Sequence, residues 1–315
     1  RKLQGHKNFR FMSNSLLQSR ISYSVCPICG SSEISEVLKA KDYTVSKENF
    51  SIWHCSNCQA RFTQEIPDQK TIGPYYKSEE YISHSNTDKG LVNTLYQWVR
   101  NYTLVKKRKL ISKLSKKTSG SILDIGCGTG EFLGAMKNAG WEVQGLEPDP
   151  GAREQAQKNH GISVSPSEEL FNLADKTYDV ITMWHVLEHV HQLHEYFEKI
   201  RSLLKPGGLL IIAVPNYQSL DAKVYGEHWA AYDVPRHLYH FSAQSMKELF
   251  KFHQIEFQQI KPMPFDAFYV SLLSEKYKHG NLRLIPAGIT GLRSFLKSSF
   301  KTDSCSSILY IGKKA

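Results

Sequence analysis

From residue 121 onward, short apolar runs alternate with amphipathic stretches. Ile122-Leu-Asp-Ile125 predicts a short buried strand, and Gly126-Cys-Gly-Thr-Gly130 predicts a glycine turn after it. Residues 131–139 predict a helix closed by Gly140, and 150–159 predict a second. Runs at 141–146, 161–164, 178–183 and 209–214 predict four further strands. The stripe Val190, Leu193, Phe197, Ile200, Leu203/Leu204 predicts a helix before the last of them, and Pro206-Gly-Gly208 turns the chain into it. Strands alternating with helices imply an α/β fold with a doubly wound, mostly parallel sheet. In such a sheet a ligand sits at the carboxyl ends of the strands, beside the first strand.

The first third of the chain reads differently. Residues 34–38 and 50–53 predict short strands, and 67–90 is polar and turn-rich, a linker. Leu91, Leu95, Trp98, Tyr102 and Val105 lie on one face of a helix that runs into the basic stretch 106–117 and is broken by Ser119-Gly120. This divides the chain into four parts: a tail over 1–22, expected to be disordered; a small module over 23–66; a linker and amphipathic helix over 67–118; and a large module over 119–315. The large module carries an insertion at 216–241, after which Ser242 is placed to cap a helix whose Met246, Leu249 and Phe250 face the core. Residues 305–311 predict a last strand.

Cysteine spacing gives the small module its chemistry. Cys26-Pro-Ile-Cys29 and Cys55-Ser-Asn-Cys58 are two C-x2-C turns with 25 residues between them. Two such turns form a four-thiolate set, the arrangement Zn2+ takes at a closed structural site. A module this small has little core and needs such a staple. Residues 1–20 lack the features of a secretory signal, so the thiols are expected to be reduced and the location cytoplasmic.

Composition narrows the class. The chain has 315 residues, of which 41% are hydrophobic and 22% charged, a globular balance. The longest apolar run, Leu209 to Val214, is far short of the roughly 20 residues that cross a bilayer, so no membrane span is expected. The net charge of +10 comes from two patches free of acids: five Lys/Arg within residues 1–25 and seven within 101–119. Patches of this kind are usually solvated faces, and nucleic-acid contact is the lesser reading.

The glycine turn indicates what the large module binds. Its glycines fall at 126, 128 and 130, which is not a dinucleotide register, and no Lys follows as in a phosphate-binding loop. Asp124 precedes the turn. Glu147 ends the next strand, where a carboxylate can accept both hydroxyls of a ribose. Glycines there let backbone N–H groups approach a ligand. Leu123-Asp-Ile-Gly-Cys-Gly-Thr-Gly130, Gly145-Leu-Glu-Pro-Asp149, Tyr178-Asp-Val-Ile-Thr-Met-Trp-His-Val-Leu-Glu-His-Val190 and Leu204-Lys-Pro-Gly-Gly-Leu-Leu-Ile-Ile-Ala-Val-Pro-Asn216 resemble, in order and spacing, a class I S-adenosylmethionine-dependent methyltransferase. The resemblance implies a Rossmann-like sheet of seven strands, the last antiparallel. It implies S-adenosyl-L-methionine as cofactor. Gly126, Cys127, Gly128 and Gly130 would line its methionine part, with Asp124 near its amino group. Glu147 would bind the ribose, Pro148 and Asp149 would flank the adenine, and Met183, Trp184 and His185 would lie beside the sulfonium.

Methyl transfer needs a nucleophile held about 3 Å from the methyl, and a base if that nucleophile carries a proton. The insertion supplies candidates, with Arg236, His237, Tyr239 and His240 in five residues. Arg236-His-Leu-Tyr-His-Phe-Ser242 is similar to a Glu-His-Leu-x-Tyr-Phe-Ser stretch of zinc-bearing sugar C-methyltransferases, which makes His237 an acid/base candidate. The departure is Arg236 in place of Glu. His185 and Tyr239 are the other catalytic candidates, while His240 reads as structural. Val186-Leu-Glu-His-Val190 resembles quinone-biosynthesis O-methyltransferases, some of which use a divalent ion. His185, Glu188, His189, His191 and His194 are dense enough to raise a metal site as a lesser alternative. The expected function is methylation of a small molecule, such as a sugar, a quinone-like compound or another metabolite, at oxygen or carbon. The alternatives are a ribosomal-RNA or other nucleic-acid methyltransferase and a non-catalytic zinc-ribbon adaptor. The strand-four end Met-Trp-His-Val lacks the Asn/Asp-Pro-Pro-Tyr signature associated with the former, and the intact turn argues against the latter.

Overall fold

The computed structural model describes residues 19–77 and 91–315. Most of the expected tail, and the second half of the expected linker, lie outside the described residues. The tail expectation fails where it can be seen: β1 (Arg20–Ile21) pairs antiparallel with β5 (Ile66–Pro67), closing the ends of the small module on each other.

The large module is built on seven strands: β6 (Ser121–Ile125), β7 (Glu142–Leu146), β8 (Val164–Ser165), β9 (Tyr178–Trp184), β10 (Leu204–Pro215), β12 (Ile255–Met263) and β13 (Ser307–Lys314). In space they run third, second, first, fourth, fifth, seventh, sixth. The first five are parallel, and β13 lies antiparallel between β10 and β12. All five residues of β6 are buried, as a central strand covered on both faces must be. The expected third strand shrinks to two residues. The expected turn at 206–208 is instead an irregularity inside β10, whose register against β9 shifts between Leu204 and Leu209.

Helices α1 (Leu91–Ser115), α2 (Glu131–Lys137), α3 (Pro150–His160) and α4 (Leu193–Leu203) appear where the periodicity places them. Asp149 caps α3 by accepting from the N–H groups of Gly151 and Ala152. After β10 come a short α5 (Leu220–Tyr225) and α6 (Ala243–Phe252), the latter capped by Ser242 in a reciprocal pair with Ser245. Met246, Leu249 and Phe250 of α6 are buried as expected. Two helices that the apolar pattern did not reveal, α7 (Asp266–His279) and α8 (Leu284–Phe300), fill the crossover between β12 and β13.

The small module is a sheet of β2 (Ile34–Lys41), β3 (Asn49–Cys55) and β4 (Arg61–Thr63), and its fourth strand comes from far along the chain. β11 (Tyr239–His240), inside the insertion, pairs with β4 through Tyr239–Phe62 and His240–Arg61. One core cluster runs from Cys26, Ile28 and Phe62 to Leu123, Leu210 and Tyr310. The two modules are therefore welded by a shared sheet and a shared core.

Candidate active site

The glycine turn leaves β6 with Gly126, Gly128 and Gly130 at φ +72°, +53° and +79°, a region that favours glycine. Their reasons differ. A Cβ at Gly126 would lie 2.3 Å from Val186 and one at Gly130 2.9 Å from Ala156, whereas one at Gly128 would meet nothing within 4 Å. Gly128 therefore opens onto the space above the turn, and the other two serve packing. The main chain is pinned to β7: the N–H groups of Gly126 and Cys127 donate to Leu146 O at 2.7 and 3.0 Å. Gly130 N–H donates to Cys127 O at 3.1 Å. The expectation that these N–H groups face a ligand is corrected here, since each already has a protein acceptor.

Glu147 is tied to the same turn. Its Oε2 accepts from Gly128 N at 2.9 Å and its Oε1 from Asp149 N at 3.0 Å. Each oxygen keeps capacity for a further donor, such as one of two neighbouring ribose hydroxyls. Burial raises its pKa against those two hydrogen bonds. Cys127 turns its sulfur against Gly145, and burial pushes its thiol up, so its side chain belongs to the fold. Pro148 is exposed at the rim.

Asp124 is buried at the end of β6, where Thr182 Oγ1 donates to it at 2.6 Å. Burial lifts its carboxyl to about 7, against that hydrogen bond and the charge of Lys107. Lys107 reaches in from α1 and sets its ammonium 3.7 Å from the centre of the Trp184 ring. Burial lowers Lys107 to about 8, opposed by the charges of Asp124 and Asp266. The basic stretch is thus not all a solvated face: Lys107 enters the site and Lys117 pairs with Asp179. Trp184 stands edge-on to Phe132 at 5.4 Å. Met183, expected beside the sulfonium, is a fully buried core residue.

His185 follows the end of β9 and is held at φ +58°. Its Nε2 lies 3.1 Å from Asp266 Oδ2 and its Nδ1 3.5 Å from Glu188 Oε1. Burial opposes its charge, but the two carboxylates prevail and raise it to about 10. The two carboxylates thus favour the imidazolium form of His185 near neutrality. Glu188 is fully buried, and neither of its oxygens has a hydrogen-bond partner among the described residues. Burial raises its pKa, but His185 and the nearby His189 and His237 hold it below the usual value.

His189 Nδ1 faces Arg236 O at 3.0 Å and His237 Nδ1 faces Ala231 O at 2.8 Å. A nitrogen facing a carbonyl carries the hydrogen, which assigns the lone pair of each neutral ring to Nε2. The rings pack edge to face at 4.6 Å. Burial and the charge of His237 lower His189 to about 4. One ligand atom each from Glu188, His189 and His237 lie within 4.8 Å of one another, so this trio could hold a divalent ion. His191 and His194 turn away, to Pro67 O and Pro27 O of the small module at 3.0 Å each.

Two insertion residues change role. Tyr239, expected to be catalytic, is buried in β11, and burial pushes its phenol well above 10, so it holds its proton within the sheet. Arg236 is a fully buried strut. It donates to Tyr75 O at 2.8 Å, to Asp233 Oδ2 at 3.0 Å and to Asp42 Oδ1 of the small module at 3.2 Å. That ion pair accounts for an arginine where the sugar-methyltransferase pattern has Glu. His240 is structural as expected, its Nε2 3.1 Å from Thr63 Oγ1.

The four thiols converge as the spacing implies. Cys26 and Cys58 sulfurs are 3.6 Å apart, as are those of Cys29 and Cys55, and all four ligand atoms lie within 4.8 Å. A disulfide would need about 2.05 Å. Zn–S bonds of about 2.3 Å in a tetrahedron set sulfurs about 3.8 Å apart, which this cluster fits.

A family model described as a methyltransferase domain matches residues 99–259, just over half of the chain. The chain is similar to a ubiquinone biosynthesis O-methyltransferase of Paraburkholderia xenovorans, 31% identical over 38% of this chain and 55% of that one. A ubiquinone biosynthesis O-methyltransferase of Rickettsia prowazekii is 27% identical over 59% of this chain and 79% of its own. The chain thus spans about half the length of the first of these relatives. A solved S-adenosylmethionine-dependent methyltransferase of Archaeoglobus fulgidus covers 68% of this chain and 94% of its own at 20% identity, with a TM-score of 0.47. With the strand order and the glycine turn of the preceding paragraphs, the family match assigns the chain to the class I S-adenosylmethionine-dependent methyltransferases.

Proposed function

We propose that the chain transfers a methyl group from S-adenosyl-L-methionine to oxygen or carbon of a small molecule, a sugar, a quinone-like compound or a related metabolite. The reading rests on one observation, the Glu147 carboxylate bonded to Gly128 beneath open space that a side chain at 128 would fill. Glu147 would hold the ribose, Asp124 the amino end, and Trp184 and His185 would border the reacting centre. When bound, the cofactor supplies an activated methyl on a cationic sulfur. The chain's own residues orient the acceptor and hold its proton: His237 Nε2 is the accepting atom, and the His185 imidazolium stabilises a developing anion. The small module would carry a structural Zn2+, and a cytoplasmic location fits its six free thiols. No described helix is long and apolar enough to cross a membrane.

Calorimetry with the methyl donor should give micromolar binding, and Glu147→Ala should weaken it by about 2–3 kcal/mol, through loss of two hydrogen bonds to a charged group. Unchanged affinity would remove the ribose assignment. His237→Ala should cut turnover and leave donor affinity alone. The buried Glu188 carboxylate, paired only with His185 Nδ1 at 3.5 Å and without a hydrogen bond among the described residues, favours a second reading, in which Glu188, His189 and His237 hold a divalent ion. In that case metal analysis of the wild type should count one divalent ion beyond the one held by the four thiols, and His189→Ala should lose that ion alone.

A further inference from the structure

A cleft of about 650 Å³ opens where three parts of the chain meet: β3–β4 of the small module, the segment after β10, and the end of α8. It lies apart from the glycine turn, for no residue between 120 and 190 lines it. Its size falls in the range of small-molecule sites, about 300–1,000 Å³.

Its walls are cationic. Arg61, Lys223, Lys297 and Lys301 face one carboxylate, Asp303, which sits 3.7 Å from Lys301. Arg61 is built in. Its guanidinium lies 4.3 Å over the Tyr217 ring, and its Nη1 donates to Tyr232 OH at 2.7 Å. That fixes a planar fork of the kind that matches phosphate oxygens. Arg61 Nε and His54 Nδ1 are buried without a hydrogen-bond partner among the described residues.

We propose that this cleft binds a phosphate group and, resting on the proposed function, that it grips the anionic part of the methyl acceptor. The placement suits that task. Tyr217 and Gln218 follow β10 directly, at the same end of the sheet as the glycine turn. β10 pairs with β9, which leads into His185, and neighbouring strands are about 4.8 Å apart. The small module would then be a wall of the acceptor site. The phosphate can belong to a water-soluble ester or to a lipid headgroup. The helix bearing Lys297 also presents Ile285, Ile289, Leu292, Leu296 and Phe300 to solvent along one stripe, which makes the lipid source worth a separate arm.

The test uses the full chain and two probes: inorganic pyrophosphate by calorimetry, and vesicles containing phosphatidylglycerol by co-sedimentation. Lys223→Ala/Lys297→Ala changes two exposed side chains and should fold normally. Binding of at least one probe that falls tenfold or more in the double variant and weakens with added salt supports the cleft, pyrophosphate alone indicating a soluble ester and vesicles alone a headgroup. No binding of either probe, or equal binding by wild type and variant, overturns it. Donor affinity measured on the same samples should be equal in both proteins. Its absence would count against the methyltransferase reading while leaving the phosphate result to stand by its own data.

Discussion

At the scale of single residues, His185 holds two carboxylates on opposite ring nitrogens. They raise it from the usual 6.5 to about 10 despite burial. The stabilisation this gives the fold is fully present below pH 6.5 and is lost as pH climbs through 10. Asp266→Asn should bring the His185 pKa down, read by NMR titration of its ring protons; an unmoved midpoint would dismiss the pairing. Glu147 and the glycines were legible because the tight turn needs glycine at fixed positions and ties back to the end of β7. Lys107 was not, because nothing in the run Lys106-Lys-Arg-Lys109 marks which cation turns inward. Asp266 was hidden too, since it follows a strand whose pattern gave no warning of it. Tyr239 misled because chemical versatility in sequence says nothing of burial.

At the scale of elements, the decisive contact is Arg236 with Asp42. Both are fully buried, and together they fasten the insertion to the loop after β2. Burial raises the Asp42 carboxyl, but the N–H of Ser46 and the Arg236 charge bring it to about 2. Its contribution is therefore present above pH 3.8 and fades as pH falls through 2. Asp42→Asn should cost about 1–3 kcal/mol in denaturant unfolding at pH 7, since it removes a buried charged acceptor while Asp233 still pairs with Arg236. A loss under 1 kcal/mol would show that the pair is incidental. The parallel strands and their helices were legible as alternation of apolar runs. β12 was not, because Glu256, Gln258, Gln259 and Lys261 interrupt an edge strand. α8 escaped because its buried face is small, Ala287, Gly291, Ser294 and Ser298, while its large apolar residues point outward.

At the scale of the whole molecule, the two modules share a sheet and a core, so loss of the Zn2+ proposed for the four thiols should be felt on both sides. The purified chain should carry about one zinc by mass spectrometry. Cys58→Ser should lose it and speed hydrogen exchange in β4 and in β11 together. Faster exchange in β4 alone would mean that the two strands open independently. The cysteine spacing announced the module but not its outer strand, because pairing across so much intervening chain leaves no local trace.

That borrowed strand has a consequence for how the chain is made and for what can be done with it. During synthesis the small module emerges ahead of the insertion, and the flank of β4 stays bare until residue 240 has left the ribosome. A bare flank invites pairing with any passing strand. Grafting residues 19–67 onto another enzyme would therefore transplant a fragment whose main sheet, β2 to β4, has an adhesive side, and messages truncated ahead of that point would yield products prone to clump.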